Sequence, residues 1–236
     1  MAAPIAFSRA GMARGAWLCL PLLIGTTPFA LVCGIVAQMH GLSVSEATLM
    51  SAAVYGGSSQ LVALASWAHP APVLGAAFAA FAVNLRFALM GPVLAPWLDR
   101  LRGWRLWGSL FVMADQNWAV AVKEMQAGGR DAGVLFGNGL LMYLAWVATT
   151  ALGYLLADAI RPAPDHPLFF AALAVFVAML ASLWRGRGDL LPWAVAAVTA
   201  LAVWRLQPHG SWYIVAGALA GSLAGGWRDL RRGRAE

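Results

Sequence analysis

Charged side chains are scarce in this chain: they make up 11% of its 236 residues, whereas hydrophobic residues make up 61%. Soluble domains carry about 25% charged and about 45–50% apolar residues. The shortage of charge therefore excludes an ordinary soluble domain and indicates an integral membrane protein with several membrane segments. The net charge of +6 does not predict binding to nucleic acid, because the basic residues separate hydrophobic runs and form no patch.

Cysteine is also scarce, since the chain contains only Cys19 and Cys33. If both lie on one helix, their Cα atoms are about 21 Å apart at a rise of about 1.5 Å per residue. A disulfide requires Cα atoms within about 7 Å of each other. Neither cysteine has other metal-ligating residues beside it, so we expect no disulfide, no metal site and no cofactor.

Hydrophobic segments follow one another along the chain with short connections. A helix needs about 20 apolar residues to cross a membrane, and tryptophans near many segment ends fit the aromatic belts of membrane interfaces. The pattern predicts an all-α, polytopic helical bundle with about six to eight membrane segments in a single domain, 1–236. The segments are 17–37, 44–66, 71–96, 107–122, 133–157, 167–184, 190–204 and 211–227.

Basic residues concentrate in some connections and avoid others. The positive-inside rule places the basic ones in the cytoplasm, including the N-terminus 1–16 and the tail 228–236. If every segment crossed the membrane, loop 98–106 with its three arginines would lie outside. All basic loops lie inside if 44–66 and 107–122 enter and leave on the same side. We therefore favour re-entrant or interrupted segments there; the alternative is eight plain spans with one exception to the rule.

Four polar clusters lie at membrane depth, and three of them predict interrupted helices near 25–28, 56–60 and 113–117. Pro28 lacks an N–H group and disfavours helical geometry at the preceding residue, while the glycines of the second cluster allow the chain to leave helical geometry. Freed backbone groups must then be satisfied by protein, water or ligand. The clusters are Thr26–Thr27–Pro28, Gly56–Gly57–Ser58–Ser59–Gln60, Asn84–Leu85–Arg86 and Asp115–Gln116–Asn117.

Arg86 and Asp115 are ionisable residues near the centres of their segments. A charge at mid-bilayer costs at least about 2.5–3.5 kcal/mol on insertion scales, so it faces protein or water and has a partner. An Arg86–Asp115 pair meets this need. The pair is either structural or part of a pathway for substrate and protons.

The polar clusters are also compatible with other functions. Ser58 after two glycines could belong to an intramembrane serine hydrolase, but a nucleophilic serine needs a base in reach and all four histidines fall in loops. The GGSS segment could also line a channel, or small residues could simply allow close helix packing. We expect a protein that is not an enzyme.

Three long stretches carry a resemblance to a known family: PFALVCGIVAQMHGLSVSEATLMSAAVYGGSSQLVAL, FAVNLRFALMGPVLAPWL and FVMADQNWAV. In this order they resemble the AzlC family, the large subunits of bacterial branched-chain amino acid exporters. The resemblance implies a permease of the inner membrane that exports neutral amino acids by the proton motive force. It also implies a small hydrophobic partner subunit of the AzlD type. Gly56 stands where the family commonly has alanine.

These observations together define a hypothetical transport site. The helix break at 56–60 and Arg86 bind the substrate carboxylate, whereas Asp115 and the carbonyls of 25–28 face the ammonium group. Asp115 carries the proton by exchanging its pairing with Arg86, and Phe29, Phe87 and Met113 surround the substrate side chain. The predicted substrate-binding residues are Thr26, Thr27, Pro28, Tyr55, Gly56, Gly57, Ser58, Ser59, Gln60, Asn84, Arg86, Asp115, Gln116 and Asn117.

Overall fold

The computed structural model describes residues 5–65, 67, 73–84, 86–160, 174, 177, 181, 184, 186–207 and 212–232. Every element longer than a bridge in these ranges is helical. The predicted segment 167–184 lies almost wholly outside the described residues. The α-helices are α1 (Arg9–Met39), α2 (Val44–Val54), α3 (Gly57–Ala65), α4 (Val73–Asn84), α5 (Arg86–Met90), α6 (Ala95–Leu98), α7 (Trp104–Phe111), α8 (Asp115–Gln126), α9 (Gly133–Ile160), α10 (Leu190–Leu206) and α11 (Trp212–Arg232).

Helix α1 continues without interruption through 25–28, so the break predicted there is wrong. The helix contains both Pro21 and Pro28. Each proline removes one hydrogen bond, but the bonds of the flanking turns and the neighbouring helices keep such helices intact in membranes. The Thr26 hydroxyl donates to the Leu22 carbonyl at 3.2 Å, a side-chain bond to the preceding turn of the same helix.

Helices α1 and α9 form a close parallel pair at the centre of the fold. Gly15 packs against the backbone of Val134 near the start of both helices, and Gly34 packs against Thr150 near their ends. A side chain at either glycine would overlap the α9 backbone. Small residues allow such approach and thus drive helix association in membranes, where lipid offers no hydrophobic force.

Three of the predicted cytoplasmic segments meet at one end of the bundle. Ala6 forms a bridge with Asp131, and Arg14 pairs with Glu124 at 2.8 Å. Trp104 packs edge-on against Phe7, with ring centroids 5.5 Å apart. Segments 1–16, 98–106 and 123–132 are therefore neighbours. We call this the basic end, and the end that holds Met39–Ala47 the opposite end.

Helices α2 and α3 form a hairpin that starts and finishes at the opposite end. Leu64 near the end of α3 clusters with Leu42 and Ala47, which flank the start of α2. Between the two helices, Tyr55 reaches inward and clusters with Phe29 and Trp146 in the middle of α1 and α9. Segment 44–66 therefore enters and returns at the same end. We call it the first hairpin, and Tyr55–Ser58 its tip.

Helices α7 and α8 form a second hairpin that starts and finishes at the basic end. Trp104 at the start of α7 lies beside Phe7, while Ala121 on α8 clusters with Leu101 and Ala132. The intervening residues 112–114 lie deeper, where Val112 contacts Gly139 of α9. We call 112–116 the second tip. Both hairpins have the re-entrant form that the charge distribution favours, and loop 98–106 shares an end with the N-terminus.

Three helices of the described part are long and apolar enough to cross a membrane: Arg9–Met39, Gly133–Ala159 and Arg187–Leu206. Helix α11 packs beside α10, and its Arg228 lies 3.7 Å from Asp189 at the start of α10. Trp212 at the start of α11 packs against Phe78 of α4 at 5.4 Å. The fold is thus an all-α membrane bundle, as predicted.

Candidate functional site

A cavity of about 50 Å³ lies where the two hairpin tips meet between α1 and α9. A buried water needs about 10–15 Å³ of such space, so the cavity has room for a few waters. Its walls combine aromatic rings with polar groups of both tips. The lining residues are Thr26, Phe29, Tyr55, Gly56, Gly57, Ser58, Phe87, Ala114, Asp115, Gln116, Met142 and Trp146.

The first tip leaves helical geometry at Tyr55, which follows the last residue of α2. Tyr55 has φ 42° and ψ 51°, a left-handed conformation rare for a residue with a side chain. Gly57 then packs against an aromatic wall: a Cβ there would lie 2.6 Å from both Phe29 and Trp146. Glycine at this position lets the backbone lie directly against the two rings, because it carries no side chain to separate them.

Asn84 at the end of α4 joins the two sides of the first tip. Its Oδ1 accepts a hydrogen bond from the Ser59 hydroxyl at 2.6 Å, and its Nδ2 donates to the Val54 carbonyl at 3.4 Å. Val54 precedes the break and Ser59 follows it. One amide from a neighbouring helix therefore satisfies backbone and side-chain groups that the break sets free.

Gln60 fixes the first tip to α9. Its Oε1 accepts a hydrogen bond from the indole N–H of Trp146 at 3.0 Å, and the Gln60 side chain is buried. The same indole packs edge-on against Phe29, with centroids 5.7 Å apart. The tip, α1 and α9 are thus held together around one tryptophan.

Asn117 stabilises the second tip from within its own hairpin. Its Oδ1 accepts from the Ala114 N–H at 2.8 Å, and its Nδ2 donates to the Val112 carbonyl at 2.6 Å. The residue is fully buried. The amide thereby joins the end of α7 to the start of α8 across the break.

The helices that leave the two tips both begin at the cavity. Helix α3 starts at Gly57 and α8 starts at Asp115. The first N–H groups of a helix have no acceptor inside it, and the helix dipole places a partial positive charge there. Two such ends and one carboxylate, that of Asp115, therefore surround a small space with aromatic walls.

The structure brings seven of the predicted site residues to the cavity wall: Thr26, Tyr55, Gly56, Gly57, Ser58, Asp115 and Gln116. A second group of four lies behind the wall and holds the tips in shape: Ser59, Gln60, Asn84 and Asn117. The Arg86 side chain lies outside the described part of the structure, so its pairing with Asp115 stays a prediction.

Three residues that were assigned to the site, Thr27, Pro28 and Met113, do not line the cavity. Thr27 and Pro28 are half-buried on the intact helix α1, and Thr26 is the residue of that cluster that faces the cavity. Because α1 is unbroken, its carbonyls at 25–28 are not unwound to bind an ammonium group. Met113 packs in the apolar cluster of Leu94 and Trp97 and not around the cavity, whereas Phe29 and Phe87 line it as expected.

Sequence reasoning missed the contribution of α9. Met142 and Trp146 line the cavity from the middle of this helix. A tryptophan at the centre of a membrane segment indicates a polar partner at that depth, because a buried indole N–H usually has a hydrogen-bond acceptor. Its acceptor, Gln60, lies 86 residues away, and no local pattern predicts that pairing.

A serine hydrolase would need a histidine base near Ser58 or Ser59, and the position of three of the four histidines is not described. Of the four, the structure describes His40, whose Nδ1 lies 2.8 Å from the Val36 carbonyl at the end of α1. The others, His69, His166 and His209, lie outside the described residues. Ser59 donates its hydroxyl proton to Asn84, which is a structural bond.

These features define a polytopic membrane protein with a central site between two re-entrant hairpins. The model of the AzlC protein family matches residues 21–160, which is more than half of the chain. The chain belongs to the AzlC family, and membership indicates a function in membrane transport.

Two relatives match nearly the whole length of the chain. One is an uncharacterized membrane protein of Archaeoglobus fulgidus, 30% identical over 216 residues, which covers 91% of this chain and 94% of the relative. The other is the inner membrane protein YgaZ of Escherichia coli, 27% identical over 214 residues, which covers 87% of this chain and 84% of the relative. No solved structure matches the chain. Both relatives support a multi-pass membrane protein.

Proposed function

We propose that the protein is the large subunit of a two-component exporter that moves branched-chain, neutral amino acids across the bacterial inner membrane in exchange for protons. Its partner is a small hydrophobic membrane subunit of the AzlD type. One observation carries the proposal: two helix N-termini and an aspartate converge on an aromatic-walled cavity. A zwitterion with an apolar side chain has the matching chemistry.

The substrate carboxylate binds between the starts of α3 and α8. Helix N-termini favour anions through their N–H groups and dipole, and secondary transporters use discontinuous helices in this way near the bilayer midplane. Ser58 lies on the cavity wall and contributes its hydroxyl as a donor in this proposal. Arg86, at the start of α5, contributes its positive charge in this proposal.

Asp115 binds the ammonium group and carries the proton. It is the aspartate on the cavity wall, and its position at the start of α8 places its carboxylate beside the positive end of the helix dipole. Protonation removes the charge that holds the ammonium group. Proton entry therefore promotes substrate release at the outer side, which couples the two movements.

The apolar side chain of the substrate lies among Phe29, Phe87 and Trp146. In the described conformation the cavity holds only a few waters, so a branched-chain amino acid requires the tips to separate. Because the hairpins enter from opposite ends, withdrawal of either tip opens the cavity toward one side. This arrangement provides alternating access.

The test is efflux from cells or vesicles that contain the chain together with its small partner subunit. Asp115→Asn is expected to lower proton-driven efflux of isoleucine and valine at least about tenfold while membrane content stays unchanged. Glu124→Gln is the control, since this carboxylate pairs with Arg14 at the basic end; it should leave efflux unchanged. Efflux by Asp115→Asn with the same dependence on the proton gradient would refute the role of Asp115. Absence of any branched-chain efflux from the wild-type pair would refute the cargo.

A further inference from the structure

Two buried polar side chains near the cavity have no hydrogen-bond partner among the described residues. They are the Tyr55 hydroxyl and the Asn138 amide, of which neither the oxygen nor the nitrogen is bonded. Asn138 is fully buried and Tyr55 is 7% exposed. Buried polar groups nearly always have a partner, and no described residue supplies one for these atoms.

Asn138 lies next to the cavity, on the side of the basic end. It precedes Met142 on α9 by four residues and Trp146 by eight, so the three side chains share one face of the helix. Met142 and Trp146 line the cavity. Side chains tilt toward the start of their helix, which here is the basic end, where Gly15 packs against Val134.

Tyr55 extends from the first tip into the same region. It lines the cavity, and its ring packs edge-on against Tyr143 of α9 with centroids 5.0 Å apart. Tyr143 follows Asn138 by five residues on α9, about 7.5 Å along the helix axis. The Tyr55 ring and the Asn138 amide therefore lie at neighbouring turns of α9.

Resting on the proposed function, we propose that Tyr55 and Asn138 form an entry subsite that binds the charged head group of the amino acid before it reaches the tips. The Asn138 nitrogen and the Tyr55 hydroxyl donate to the carboxylate, and the Asn138 oxygen accepts from the ammonium group. A primary amide offers both donors and an acceptor, which matches a zwitterion. Neither residue is charged, so the subsite binds the head group weakly. The head group can therefore move on to the site at the helix N-termini, which binds it more strongly.

Replacement of Asn138 by leucine separates this role from a structural one. Asn138→Leu removes, at similar size, two polar atoms that bond to no described residue, and apolar replacement of such groups can be nearly neutral or stabilising. We expect an unchanged or higher midpoint of thermal unfolding for the purified complex and an efflux rate lowered about tenfold. Asn117→Leu is the matched control: it is an equally buried asparagine whose amide makes two hydrogen bonds, so its midpoint should fall. Efflux by Asn138→Leu within twofold of wild type would overturn the subsite.

A labelling experiment tests the subsite without measuring efflux. It also keeps the proposal testable if Asn138→Leu does not fold. Asn138→Cys is made with Cys19→Ala and Cys33→Ala, and a small hydrophilic methanethiosulfonate reagent is added at the cytoplasmic side. We expect labelling that branched-chain amino acids slow. The control is Leu135→Cys, fully buried in an apolar cluster. Labelling no faster than this control overturns the subsite whatever the protein exports. Labelling that only another zwitterion slows supports the subsite and overturns the proposed cargo.

Discussion

The two hairpin tips differ in the origin of the asparagine that bridges the helix break. Each break frees backbone groups inside a membrane, and each is joined across by one asparagine. At the first tip this is Asn84, which reaches in from α4 to Val54 and Ser59. At the second tip it is Asn117, which belongs to the same hairpin and bonds both Val112 and Ala114.

The difference shows which tip depends on its neighbours. The break of the second hairpin is bridged by a residue of the same hairpin, so we expect this hairpin to move as a rigid unit. The first tip relies on α4 through Asn84 and on α9 through Trp146. A shift of either helix therefore alters its geometry, which suits the tip that has to respond to substrate.

The largest effect is expected from Asn117→Leu. The change leaves the Val112 carbonyl and the Ala114 N–H without their partner, and each buried unpaired group costs about 1–3 kcal/mol. The free energy of unfolding should fall by about 2–5 kcal/mol, measured as the thermal midpoint of the purified complex. A midpoint equal to that of wild type would show that the second tip does not depend on this amide.

Gly57→Ala ranks next. The added Cβ would lie 2.6 Å from both Phe29 and Trp146, so the rings or the tip must shift, and overpacking of this kind costs about 1–3 kcal/mol. Efflux should fall more strongly than stability, because the displaced residues line the cavity. Wild-type efflux from this variant would contradict the close contact between the tip and the aromatic wall.

Asn84→Leu should have a smaller effect on stability than Asn117→Leu. One of its bonds is long, at 3.4 Å, and Gln60 still holds the first tip to α9. We expect a loss of about 1 kcal/mol together with a clear fall in efflux. Equal losses of stability for the two asparagine variants would remove the distinction between the self-contained tip and the dependent one.

Gly56→Ala should have the smallest effect and serves as the control for Gly57→Ala. A Cβ at Gly56 would meet the Asn84 oxygen and the Ser59 hydroxyl at 3.2 Å, and both neighbours need to move by only a few tenths of an ångström. Stability should change by less than about 0.5 kcal/mol, as for most substitutions without a strong structural cause. If both glycine variants lose efflux equally, the tip needs the conformational freedom of glycine, and the contact with the Phe29 and Trp146 rings is not the cause.

Several features were predictable because their causes are local in sequence. The arginines at 98–106 and the absence of charge at 38–43 indicated that 44–66 and 107–122 return to the same side. The glycines after Tyr55 and the polar run from Asp115 marked the breaks. Pro28 misled the same reasoning, because a proline weakens a helix locally, whereas the continuation of α1 depends on its packing against α9.

The sequence by itself determined the class of protein, the hairpin segments and most polar residues of the site, because hydrophobic length, charge bias and helix-breaking residues act over a few turns of chain. Tertiary structure alone decided which polar residues face the cavity and which hold the tips. It also brought the Trp146 indole into a hydrogen bond with Gln60 and left the Asn138 amide without a bond to any residue that the structure describes. These outcomes depend on side chains far apart in sequence that meet only when α1, α9 and the two hairpins pack together.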